Sequence, residues 1–332
     1  MSTQPPLSTP APHGASRCRG PQLEVAVRSL LSPTGQGRKE NQDNFLWIDG
    51  YGHARFLWRE QETRLSVTGW PQGHQRLAVL DGMGGHSHGR QAAEKAAAGL
   101  IELSAMTDLT QISDQLNRLH RRLYREFQDA GLETGCTLVL LEIPPRSPAL
   151  LFHVGDSRLY AIDADHVQCL TVDHVPATHL ALLGLLDSAQ WLQQVHVQTS
   201  SQISQAFILG STLGAPNFYV EAIDEELYEL HDGNLPLFLQ GLSDRRSLTL
   251  EPDRVYLLAS DGLWHLRDPQ AFVRQWPALL AHPQRPLEEL LDDLLAELVT
   301  ALHEQQSQPD DNCTVMLVRQ SSIQAEEAPA SD

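Results

Sequence analysis

Aspartates fall at the ends of apolar runs in this chain, several with glycine beside them. Asp81 closes RLAVLD and is followed by Gly82, Met83, Gly84 and Gly85, and Asp261 closes the run VYLLAS ahead of Gly262. Asp156 follows ALLFHV through Gly155, Asp310 and Asp311 stand directly before CTVMLV, and Asp43 ends RKENQD ahead of Phe45, Leu46 and Trp47. A carboxylate at the end of a buried strand sits at the rim of the core. Glycine beside it lets the backbone turn sharply and lets its own carbonyl approach a ligand. Several such carboxylates converging on one sheet edge would repel each other by several kcal/mol in a partly buried site. A hard divalent cation relieves that repulsion, and all-oxygen ligation suits Mg or Mn over Zn or Cu. Two such ions about 3.5–4 Å apart can share a hydroxide and clamp a phosphoryl oxygen. A lone Asp-Gly is usually a turn. Asp81 within DGMGGH is more specific, and five such segments in this order are hard to explain as turns.

The elements that must position these residues are short apolar strands. The runs at 23–27, 76–81, 137–143, 149–154, 255–260 and 314–318 are the clearest, and several are continuously apolar, as in strands buried between layers. Helices are expected at about 89–103, which is Ala-rich, at about 111–129, and at about 287–302. In the last, Leu287, Leu290, Leu291, Leu294, Leu295 and Leu298 recur at three- and four-residue steps, with Glu288, Glu289, Asp292 and Asp293 on the other face. Strands arriving as hairpin-like pairs and helices in separate blocks favour an α+β layered domain over a βαβ-wound sheet. Residues 1–21 and 321–332 read as flexible tails around one domain at 22–320, and 174–250 as a flap or insert within it.

The 332-residue chain is 41% hydrophobic with a net charge of −18, which fits a globular protein and disfavours nucleic-acid or anionic-membrane partners. No run reaches transmembrane length, and residues 1–20 lack the apolar core of a secretory signal. Cys18, Cys136, Cys169 and Cys313 show neither a disulfide framework nor zinc-site spacing, so a reducing, cytoplasmic location is expected. Cys136, inside an apolar strand, is expected to pack and not to react.

These segments together resemble the type 2C metal-dependent serine/threonine protein phosphatases, in a bacterial-type form. The resemblance rests on RKENQD at 38–43, LAVLDGMGGHSHG at 77–89, GCT at 135–137, HVGDSRLY at 153–160, LTVDH at 170–174, LLASDGLW at 257–264 and DDNCTV at 310–315. It implies an αββα sandwich of two antiparallel sheets flanked by helices, with a two-metal centre at one end of the sheets. Carried over by position, Asp43, Asp81, Asp261 and Asp311 match the aspartates of that centre, and Gly82 the residue offering its carbonyl. Asp156, with Asp261, matches the ligands of a weaker third ion, and Arg38 the phosphate-gripping arginine. The implied catalytic residues are Arg38, Asp43 and Asp81, with Mn2+ or Mg2+ as cofactor. The implied reaction is hydrolysis of phosphoserine or phosphothreonine on a protein, the product of a serine/threonine kinase. It proceeds through a metal-bridging hydroxide, without a phosphoenzyme.

Three features depart from the pattern. Gln42 stands where many members have an acid. Met83 stands where eukaryotic members have a histidine proposed as general acid, and His86 is a weak substitute. The stretch after Asp173-His174 has the position of the family's flap but not its detail. The alternatives are a catalytically silent binding module on the same fold, a regulatory phosphatase acting on sigma-factor antagonists or a spore or secretion switch, and a different two-metal hydrolase such as a nucleotidase. Every ligand position carrying an Asp counts against the silent module.

Overall fold

The computed structural model describes residues 23–35, 38–84, 88–195, 203–214, 223–307 and 311–320, so both expected tails lie outside the described residues. The chain runs through β1 (Leu23–Leu30), β2 (Asn44–Ile48), β3 (His53–Trp58), β4 (Gln61–Ser66), β5 (Gln75–Leu80) and the two-residue β6 (Gly82–Met83). Helices α1 (His88–Glu102) and α2 (Leu109–Asp129) follow, then β7 (Gly135–Cys136), β8 (Leu138–Ile143), β9 (Ala149–Val154), β10 (Arg158–Ile162) and β11 (Val167–Cys169). Next come α3 (Pro176–Leu182), α4 (Ser188–Val195), β12 (Gln205–Ala206), β13 (Gly210–Ser211), β14 (Arg245–Leu248) and β15 (Val255–Ala259). The chain closes with α5 (Pro269–Val273), α6 (Trp276–Leu280), α7 (Leu287–Glu304) and β16 (Cys313–Gln320).

Two antiparallel sheets form from these strands, one ordered β1-β16-β15-β10-β11 and the other β14-β9-β8-β5-β2-β3-β4. Side chains alternate across each strand. Val25, Val27, Leu77, Val79, Tyr256 and Leu258 therefore meet between the sheets. Ala78 and Leu80 turn outward onto α1 and α2, whereas Ala26, Leu257 and Ala259 turn outward onto α7 and its neighbours. Burial on both faces is why these strands read as unbroken apolar runs. The result is the expected αββα order of layers.

The expected helices form within two residues of their anticipated bounds. Hairpin β3–β4 carries no sequence signal of comparable strength, because β4 is an exposed edge strand, QETRLS, with little to bury. In the 174–250 stretch, Ala177, Ala181, Trp191, Leu230, Leu235 and Leu239 make a small core, joined by Val172 just before it. Its last part is not insert: Arg245–Leu248 pairs with Ala149–Phe152 as an edge of the main sheet.

One charged cluster ties the seven-stranded sheet to the end of α1. Glu142, fully buried, accepts from Arg76 at 2.7 and 2.9 Å, from His74 Nε2 at 2.6 Å and from the Met106 N–H at 2.9 Å. Arg76 also donates to the carbonyls of Leu100, Leu103 and Ser104. Burial raises the Glu142 carboxyl pKa, but Arg76 and His74 outweigh it and leave the group below its ordinary value. Glu142→Gln strips a buried guanidinium of its counter-charge and is expected to destabilise the fold by about 3–5 kcal/mol. Urea unfolding measures this; a loss below about 1 kcal/mol would show that the cluster is not a keystone.

Candidate metal centre

Strand register gathers the aspartates. Asn44 opposes Leu80, so Asp43 before β2 and Asp81 after β5 stand at the same end of neighbouring strands. Ala259 opposes both Arg158 and Val315, which brings Asp261 after β15 to the end where β10 and β16 begin, preceded by Asp156 and Asp311. One end of the sandwich thus receives carboxylates from both sheets.

Asp81 and Asp43 are held through their backbones and by neutral groups. Asp81 N–H donates to Thr137 Oγ1 at 2.9 Å, and Asp81 carbonyl accepts from Thr137 N–H at 2.8 Å. Asp43 N–H donates to Asn41 Oδ1 at 3.1 Å, and Ser260 Oγ donates to Asp43 Oδ2 at 2.6 Å. Asn312 stitches three segments together: its Oδ1 accepts from Gln42 N–H at 2.9 Å, and its Nδ2 donates to the carbonyls of Leu31 at 2.8 Å and Glu40 at 3.0 Å. The tip of hairpin β3–β4 braces the same loop, since Glu60 Oε2 accepts from Asn41 N–H at 3.1 Å. Two glycines are dictated by space. A Cβ on Gly82 would run into the carbonyls of Gly89 and Gln42, and one on Gly262 into the carbonyl of Asn312.

The carboxylates perturb one another. Burial, with Asp261 and Asp311 adding to it, pushes Asp43 up to about 7 against the hydrogen bonds of Ser260 and Thr314. Asp81 is raised well above its ordinary value by burial and then by Asp43, Asp261, Asp156 and Asp311. Burial and Asp261 do the same to Asp156, and burial and Asp311 raise Asp261. Oδ1 of Asp43 and Oδ1 of Asp156 are buried without a hydrogen-bond partner. Buried, mutually repelling carboxylates with unsatisfied oxygens fit a divalent cation, which supplies the missing positive charge and fills the open lone pairs. The residues able to hold such ions are Asp43, Asp81, Asp156, Asp261, Asp311 and the carbonyl of Gly82.

Arg38, half exposed, reaches the same place and pairs with Asp311 Oδ2 at 2.7 Å. Sequence reading had no reason to single out Asn41, Asn312, Ser260, Thr137 or His265. The first four act through hydrogen bonds that no local spacing announces, although all but Asn41 directly adjoin an Asp, Gly or Cys of the quoted segments. His265 is brought beside Asp261 and Asp311: one ligand atom from each of the three lies within 4.8 Å of the others, the only such trio among the described residues. His86 lies outside the described residues. Cys136 is fully buried, and burial pushes its thiol pKa up, so it packs as expected.

Comparison with known proteins gives a match of residues 71–203 and 213–320 to the model for stage II sporulation protein E (SpoIIE). A putative protein phosphatase 2C-type from Streptococcus pyogenes is 26% identical over 163 residues, covering 47% of this chain. The match spans 58% of that relative's length. The S. agalactiae serine/threonine phosphatase structure superposes with a TM-score of 0.60 at 19% identity, over 90% of this chain and 99% of that one. The catalytic domain of the phosphatase PstP, in complex with two manganese ions, gives 0.54 at 21% identity, over 90% and 97%. Likeness at these identities establishes the shared αββα fold.

Relief of carboxylate repulsion is directly measurable. In EDTA, Asp81→Asn, which removes one of the mutually repelling carboxylates, is expected to be more stable than the parent. With Mn2+ at a hundredfold excess over its Kd the parent should gain about 2.7 kcal/mol and the variant far less. Thermal unfolding under both conditions reads both effects. A variant less stable in EDTA that keeps the full Mn2+ gain would contradict the electrostatic picture.

Proposed function

We propose that this chain, which belongs to the stage II sporulation protein E (SpoIIE) family, removes phosphate from serine and threonine residues of proteins at a centre built for two divalent cations. The observation that carries the reading is the convergence of Asp43, Asp81, Asp156, Asp261 and Asp311, with Arg38, on one end of the sandwich. Mn2+ or Mg2+ bound there would supply Lewis-acid charge to the phosphoryl oxygens and acidify a water for attack.

The chain's own residues set the rest. Asp43, Asp81, Asp261 and Asp311 hold the ions, with Asp156 and Asp261 serving a third. Arg38 presents a planar fork that matches two phosphate oxygens, and its pairing with Asp311 parks it at the mouth of the site. Cys136, paired across from Gly82, is buried and held protonated, and Cys313, two residues after Asp311, is buried as well, which supports direct hydrolysis over a cysteinyl-phosphate route. Met83, in the general-acid position of the eukaryotic members, has no proton to give.

The substrates are phosphoproteins made by a serine/threonine kinase, and the role is in signalling. The net charge of −18 supports the exclusion of nucleic acid. No helix among the described residues is long and apolar enough to cross a membrane. The free thiols of Cys136 and Cys169 support a cytoplasmic location.

Turnover of a phosphothreonine peptide should require added Mn2+ or Mg2+, vanish with EDTA, and vanish in Asp261→Asn. Arg38→Ala, which removes charge-assisted bonds worth about 1.5–3 kcal/mol, is expected to lower kcat/KM by about 10- to 150-fold. Metal-bound protein that never turns over any phosphopeptide would move the silent binding module ahead of the enzyme.

A further inference from the structure

The turn after β15 places a nitrogen donor among oxygen donors. Asp261–Leu263 forms a short 3-10 turn, closed by the Trp264 N–H donating to the Asp261 carbonyl at 2.9 Å. Trp264 is anchored inward: the Arg158 guanidinium lies 4.5 Å from its ring, and Tyr160 meets it edge-on at 5.9 Å. Arg158 is itself fixed by Asp173, at 2.6 Å. With Trp264 pinned inside, its neighbour His265 is only partly buried and stands beside Asp261 and Asp311.

One nitrogen of His265 and one oxygen from each of Asp261 and Asp311 lie mutually within 4.8 Å. Ligands of a single ion, each about 2.0–2.3 Å from it, lie roughly 3–4.6 Å apart, so the trio is close to ligation distance without rearrangement. The trio is not isolated. Asp43, which is 2% exposed and has a buried, unpartnered Oδ1, is close enough to both Asp261 and Asp311 for their charges to raise it. Asp81 too is close enough to Asp261 for that charge to raise it.

We propose that His265 is a metal ligand, giving one ion of the centre a nitrogen donor beside Asp261 and Asp311 and biasing the centre toward Mn2+ over Mg2+. The inference rests on the two-metal reading above and refines it. Mg2+ takes oxygen ligands in near-ideal octahedra and sheds water reluctantly, whereas imidazole suits first-row transition ions. An all-aspartate centre accepts both ions on similar terms; a histidine in it does not.

The test is electron spin-echo envelope modulation on the full chain loaded with Mn2+, beside calorimetric titration with Mn2+ and with Mg2+. The wild-type spectrum should carry 14N modulation from a directly bound imidazole, lost in both His265→Ala and His265→Asp. Mn2+ affinity should fall by about tenfold or more in His265→Ala. His265→Asp, which restores an oxygen donor and guards against a merely unfolded variant, should narrow the preference for Mn2+ over Mg2+. Bound Mn2+ without 14N modulation, or modulation that survives in His265→Ala, overturns the role of His265 and leaves the two-metal reading standing. Failure of the wild-type protein to bind Mn2+ at all overturns both.

Discussion

Repulsion among carboxylates gathered at one end of two packed sheets is the constraint on which the rest of the molecule depends. Burial and mutual proximity raise Asp43, Asp81, Asp156 and Asp261 together. A chain free to relax would let these groups swing into water. This one cannot, because each aspartate adjoins a strand or turn fixed by the core. The energy of packing two sheets and their helices is what holds like charges close enough to share a cation.

Neutral hydrogen bonds complete the arrangement without cancelling its charge. Thr137, Ser260, Asn41 and Asn312 fix backbone and side-chain positions around the centre. Among positively charged groups, Arg38 pairs with Asp311 at the rim, and Arg90 ties Glu40 to Glu94 and so steadies the loop that carries Arg38. A lysine or arginine in place of Ser260 would neutralise Asp43 and relieve the repulsion that burial leaves uncompensated. This division of labour separates an ion pair such as Arg76–Glu142 from the aspartate cluster: one is closed on itself, whereas the other keeps buried carboxylate oxygens without a hydrogen-bond partner.

Much of this was legible in the sequence, for physical reasons that differ by element. Strand β5 is buried on both faces, so RLAVL announces itself, and Asp81 is conspicuous because it breaks that run. Helix α7 shows its leucine stripe because one face meets the sheet and the other water. Hairpin β3–β4 hides because its outer strand buries almost nothing, and Arg245–Leu248 hides as a short edge strand rich in arginine. The core of the 174–250 stretch joins Ala177 to Leu239, too far apart for any local periodicity. His265 shows the limit most clearly. Four residues past an aspartate, a single histidine carries no signal, and only the turn pinned by Trp264 gives it a neighbourhood.

The central claim is that these aspartates form one centre for two ions. Diffraction at the manganese absorption edge from crystals soaked in Mn2+ examines it without reference to activity. The two-metal reading requires two anomalous peaks bounded by Asp43, Asp81, Asp261 and Asp311. An empty anomalous map at that end of the sandwich, or peaks confined to other surfaces, would contradict it.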